Sequence, residues 1–103
     1  MNPTSRAHLT ATLARIEQLL ADNGGAFWSS QVSLARAAIE VSDAWGLQKF
    51  LSLLGGMGSL NDYVLYRDDK ALVAENNELH QLLGEASGLA TNLQRAFERD
   101  QRT

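Results

Sequence analysis

Leu79, Leu83, Ala86, Ala90, Leu93 and Phe97 recur at spacings of four, three, four, three and four, so every apolar position returns to one side of an α-helix. A strand would need a period of two, so this stretch is a long C-terminal helix that must lay its greasy side on other elements. Asn76 or Asn77 is placed to cap its amino end. Glu78 complements the positive pole of the dipole, while Arg95, Arg99 and Arg102 lie toward the negative one.

The same period appears near the amino end, where Leu9, Leu13, Ile16 and Leu20 form one stripe. Thr4 or Ser5 offers an oxygen to an orphan backbone N–H at its start, and Asn23-Gly24-Gly25 supplies residues that tolerate positive φ at its end. A second helix carries Trp28, Val32, Ala35 and Ile39 on one stripe and Leu34, Ala38, Val41 and Trp45 on another. Two apolar stripes predict a helix in the middle of a bundle; the alternative leaves one stripe for a partner chain. After a break around Ser42 to Gly46, Leu47, Phe50, Leu51 and Leu54 read as a short third helix, ended by Gly55-Gly56-Met57-Gly58-Ser59.

Ser59 is positioned to cap a further turn with Asp62 at the third position after it. Tyr63 to Tyr66 and Ala71 to Ala74, separated by Arg67-Asp68-Asp69-Lys70, fit a small hairpin by composition. An isolated pair of strands is marginal in water, so a short helical turn and a loop are the expectation here. The fold class expected is therefore all-α: a compact bundle of about four helices with a glycine-rich loop and a long C-terminal helix.

At 103 residues, 45% of them hydrophobic, the chain supports one core and one helical domain over residues 1–103. Nine basic residues against twelve acidic give a net charge of −3, which argues against general nucleic-acid or anionic-membrane binding. The absence of cysteine removes disulfides, thiolate metal sites and a cysteine nucleophile. The first residues lack the basic start and apolar run of a secretory leader, and a cytoplasmic location is the expectation.

The search for chemistry returns little. His8 and His80 sit in separate helices without a metal-spaced companion and are expected at the solvent edge without partners. No cofactor is implied, and Asp68-Asp69 fit a turn better than an acid/base pair. The loop from Gly55 to Asp62 exceeds what a helix connection needs. It has three readings. Its N–H groups, with Ser59, would cradle an anion, with Asp62 or His80 as companion. Alternatively it threads between helices three and four, with Met57 and Leu60 plugging the core while Ser59, Asn61 and Asp62 satisfy its backbone. Or it belongs to a protein-binding surface. A nucleotide loop is not indicated, because no Gly-Lys-Ser/Thr ends it and Asn61 stands where a dinucleotide fingerprint wants glycine.

The string Gly55-Gly56-Met57-Gly58-Ser59-Leu60-Asn61-Asp62, preceded by Phe50-Leu51-Ser52-Leu53-Leu54 and followed by Val64-Leu65, resembles the signature of small, uncharacterised bacterial proteins classed as a domain of unknown function. The likeness extends more loosely to Trp28 and to the helix near Asn77. It implies a bacterial cytoplasmic origin and assigns no activity to any residue.

From Asp62 to Glu85 six acids (Asp62, Asp68, Asp69, Glu75, Glu78, Glu85) face two bases (Arg67, Lys70). Such a surface is either a solvated face or a docking site for a basic protein. Gly84 and Gly88 each weaken the last helix by about 0.8–1 kcal/mol relative to alanine, which is explained by close approach of another helix or by simple tolerance. The function expected is that of a non-catalytic protein-interaction module, of the immunity or antitoxin kind. Its partner would be a basic toxin or a second copy, with no nucleic acid or membrane involved. Candidate contacts are Gly55, Gly56, Met57, Gly58, Ser59, Asn61, Asp62, Asp68, Asp69, Glu75 and Glu78. The rivals are an anionic-ligand sensor or enzyme built on the loop, and a structural homodimer.

Overall fold

The computed structural model describes residues 1–101. Arg102, expected near the dipole's negative pole, lies outside them. The chain is mostly helical: α1 (Pro3–Asp22), α2 (Ala26–Glu40), α3 (Trp45–Ser52) and α4 (Val73–Gln101), with a single 3-10 turn at Leu60–Asp62 and a two-stranded hairpin, β1 (Tyr66–Arg67) and β2 (Lys70–Ala71). The helices form a ring in which α1 packs on α2 and α4, and α3 closes the circuit between α2 and α4.

The stripe of α1 is fully interior: Leu9, Leu13, Ile16 and Leu20 have no solvent exposure. Its cap is Asn2, whose Oδ1 accepts from the Ser5 N–H at 3.0 Å ahead of Pro3 in the first turn, not Thr4 or Ser5. Proline already fixes φ for the first helical residue and has no N–H to satisfy, which moves the boundary two or three residues earlier. At the other end Gly24 takes φ +85, and a Cβ at Gly25 would come within 3.1 Å of the Leu20 carbonyl oxygen.

On α2 the Val32, Ala35 and Ile39 stripe is interior and Trp28 half-buried, but the second stripe is not. Leu34 and Val41 are 53% and 77% exposed, so α2 has neighbours on one side only. The helix also ends before that stripe does. Ser42 adopts φ 60, its N–H bonds the Ile39 carbonyl, and the Asp43 N–H bonds that of Ala38. This is a Schellman stop with serine in the glycine position. Trp45 therefore starts α3 instead of extending α2. The two helices then approach so closely that a Cβ on Gly46 would lie 2.6 Å from the Ala35 carbonyl oxygen.

Leu47 and Phe50 from α3 join Leu53, Leu60 and Leu65 in the same core. The hairpin forms where a helical turn and loop were expected. Asp68 and Asp69 both adopt left-handed φ (53 and 65), the two-residue type I′ geometry that matches strand twist, and aspartate is among the few residues that tolerate it. Tyr66 pairs with Ala71 and Arg67 with Lys70.

Helix α4 starts at Val73, three residues before the expected Asn76. Asn76 is interior, and its side chain turns back on Leu65, accepting from the Leu65 N–H at 2.8 Å and donating to the Leu65 carbonyl at 3.1 Å. Leu79, Leu83, Ala86, Ala90 and Leu93 are buried, whereas Phe97 is 43% exposed. The His8–Glu85 hydrogen bond and the Arg15–Glu78 ion pair fix an antiparallel register between α1 and α4. In that register the last turns of α4 run past the start of α1, so the stripe outlasts the neighbour that would cover it. No helix among the described residues is long and apolar enough to cross a membrane.

Candidate functional site

The glycine loop is tied at its base and free at its tip. Leu60 donates its N–H to the Leu53 carbonyl at 2.9 Å, closing the loop with two buried leucines. Gly55, Gly56 and Gly58 have φ of +85, +85 and +76, a backbone that other residues rarely adopt, yet a Cβ at any of them would touch nothing. The loop therefore bulges into solvent and does not thread between helices. Leu60 plugs the core as expected, but Met57 is 100% exposed. Ser59 makes no capping hydrogen bond, and Asn61 and Asp62 are exposed. With Met57 outside, the backbone of the tip is solvated and needs no side-chain acceptors.

Five of the candidate residues line two separate grooves, and Gly56, Met57, Asp68, Asp69, Glu75 and Glu78 line neither. Gly55 and Asn61 line one of about 540 Å³ with Leu51, Leu54, His80 and Gly84. Gly58, Ser59 and Asp62 line another of about 300 Å³ with Trp28, Tyr63, Val64 and Tyr66. His80 is thus separated from the Ser59–Asp62 pair that an anion site would join to it. The second groove is aromatic: Trp28 and Tyr63 have ring centroids 6.4 Å apart, and Phe27 meets Trp28 edge-on at 5.3 Å. The Ser59 hydroxyl is buried yet makes no hydrogen bond.

Sequence reading missed Trp28, Tyr63 and Tyr66 as site residues. Trp28 was absorbed into a core stripe, and the tyrosines into an ambiguous strand. Their proximity to a Gly-Ser-Asp loop was the available signal, but only the fold brings Trp28 to Tyr63 across 35 residues.

The acidic surface is smaller than its residue count suggests. Arg15 donates Nε and Nη2 to the two oxygens of Glu78 at 2.7 and 2.9 Å. That bidentate bond holds the Glu78 carboxyl below its ordinary range and raises the Arg15 guanidinium above its own. Glu85 meets His8 Nε2 at 2.6 Å, so His8 is not the unpartnered histidine expected. On the far side of α1, Glu17 and Glu40 both bind Arg36. Asp62 stays exposed in the aromatic groove and Asp68 and Asp69 stay exposed in the hairpin turn, Glu75 is half-buried in the first turn of α4, and Arg67 is pinned on Asn23 Oδ1 at 3.0 Å. Gly84 and Gly88 have open space where a Cβ would stand, so no helix of this chain approaches them. Among the described residues no three histidine or carboxylate side chains gather in a metal-binding group.

No curated protein and no solved structure matches the chain. One family model, described as a domain of unknown function (DUF6966), matches residues 21–74. That stretch spans α2, α3, the glycine loop and the hairpin, and it contains every residue lining the aromatic groove. Covering just over half of the chain, the match makes this protein a member of the DUF6966 family.

Proposed function

We propose that the protein is a non-catalytic interaction module that anchors a basic side chain of a partner protein in the groove between Trp28, Tyr63 and Tyr66. The observation that carries this reading is the convergence of Trp28, Tyr63 and Tyr66 with the exposed Asp62 carboxylate in one groove. Aromatic faces attract a guanidinium or ammonium, and a carboxylate accepts its N–H and balances its charge. A single cation over a ring contributes about 0.5–2 kcal/mol, whereas micromolar affinity requires about 8 kcal/mol, so the groove is one anchor within a wider contact. Met57 at the loop tip and the Asp68–Asp69 turn supply further surface for it. A toxin with a basic active face is the partner class that best suits an acidic inhibitor of this size.

The test is a titration of the isotope-labelled protein with N-acetyl-arginine amide and, separately, with inorganic phosphate, followed by amide and indole resonances. Arginine amide is expected to move Ser59, Asp62 and the Trp28 indole, with the shifts lost in Asp62→Asn. Movement by phosphate alone would favour an anion site instead, and no response to either would end the proposal.

A further inference from the structure

Beyond the groove, the outer face of α2 carries its own message. Phe27, Leu34 and Val41 are 66%, 53% and 77% exposed, and they follow one another at intervals of seven. Seven residues fall about 20° short of two full turns, so the three side chains form a nearly straight apolar ridge along the helix. Exposed Ser30 and Ala37 flank the ridge, and Ala38 lies on its other side. Only two charged residues occur in the fifteen of α2, Arg36 and Glu40, and they are engaged with each other and with Glu17 of α1. No charged residue of α2 therefore lies on the ridge, and the charges at its borders come from other segments, Lys49 on Gln31 and Arg6 on Ser42.

We propose that this face pairs with the same face of a second copy, α2 against α2 in antiparallel order about a two-fold axis at Leu34. The spacing is self-complementary: with Leu34 opposite Leu34, Phe27 of each copy falls opposite Val41 of the other. A two-fold interface demands this reciprocity of each patch with itself. The large ring thus meets the smaller side chain, and each Leu34 settles among the small Ser30, Ala37 and Ala38, as interdigitating helices require. Along the ridge no like charges are brought together. The three ridge residues expose on the order of 350 Å² of apolar surface, within the size of patches that mark interaction sites. With the flanking small residues each copy offers at most about 600 Å², the lower limit of a specific interface, so the dimer expected is a weak one. Leu34 and Val41 lie outside the aromatic groove, and Phe27 links the two surfaces through its edge-on contact with Trp28.

The test is sedimentation equilibrium of the full chain and its variants, with circular dichroism to verify helix content. Wild type is expected to dimerise at micromolar to tens of micromolar concentration, and Leu34→Asp to raise the dissociation constant at least about a hundredfold, because a carboxylate would be buried at the axis without a partner. Leu34→Glu and Leu34→Lys are each expected to be monomeric and to form a mixed dimer when combined, an outcome specific to a residue that meets its own copy. Because the chain lacks cysteine, Phe27→Cys mixed with Val41→Cys should give a disulfide-linked heterodimer, while Val41→Cys alone should not. A monomeric wild type at 100 times those concentrations, an unaltered dimer in Leu34→Asp, or crosslinking of Val41→Cys to itself would overturn the proposal.

Discussion

The α1–α4 seam and the segment from Leu53 to Leu72 are held together by different means. Along the seam, repeating leucines and alanines bury one after another, and His8–Glu85 and Arg15–Glu78 bridge the edge; any one contact is a small share of the whole. The segment from Leu53 to Leu72 has almost no regular structure. It hangs on two buried leucines, Leu60 and Leu65, on the Leu60–Leu53 backbone bond, and on the Asn76 amide that grips Leu65 from both sides. The aromatic groove is built partly from that second kind of structure. A surface assembled from individually specified bonds is free to expose polar and aromatic groups that a packed seam has to hide.

Breaking the seam should have the largest effect. Leu13→Ala removes a fully buried side chain at the centre of α1 and is expected to cost about 3–4 kcal/mol in urea unfolding, loosening every part of the bundle together. Asn76→Ala should strike the other region. Leaving the Leu65 N–H without its partner and its carbonyl with only the Leu72 N–H is expected to cost about 2–3 kcal/mol. Amide exchange should accelerate at Leu65 before it does at Leu13 or Leu83; uniform acceleration would mean that the two regions are a single cooperative unit.

Gly84→Ala and Gly88→Ala test the seam from its exposed side. Each has room for a methyl group on a solvent-facing helix and should stabilise by up to about 1 kcal/mol in the same unfolding assay. Loss of stability would reveal an approach to that face by another molecule. The smallest effect concerns Glu78, whose carboxyl lies below its ordinary value of 4.5, chiefly through its hydrogen bonds to Arg15. Because the folded value is the lower one, its contribution is present above that ordinary value and fades as pH falls through the folded one. Glu78→Gln should accordingly lower stability slightly at neutral pH, where the pair is intact, and converge on the wild type in acid, so that the acid limb is flatter. The pair is exposed to solvent, so the change should be slight and reduced further by salt.

The helices were legible because their signal is local and redundant. Leu9, Leu13, Ile16 and Leu20 announce a buried face whatever packs on it, and Asn23-Gly24-Gly25 marks a stop from backbone sterics alone. The hairpin is one of two readings that composition allows, and the marginal stability of two isolated strands argues against it; the two consecutive aspartates at positive φ that decide it use a tolerance, not a preference. Asn76 was read as a cap because asparagine most often serves there, and only the packing of Leu65 against α4 turns its amide inward. For the site, the loop residues Gly58, Ser59 and Asp62 were within reach of sequence, while their aromatic companions were not.

What the amino-acid order determined by itself is the set of helices, their interior faces and the place where the chain breaks, since each depends on neighbours within a few residues. Which apolar stripe of α2 would meet water, that Met57 would stand outside the core, and that Trp28 would face Tyr63 were decided only in three dimensions. The physical reason is that period specifies which residues share a face, whereas burial depends on whether another element has the length and position to cover it.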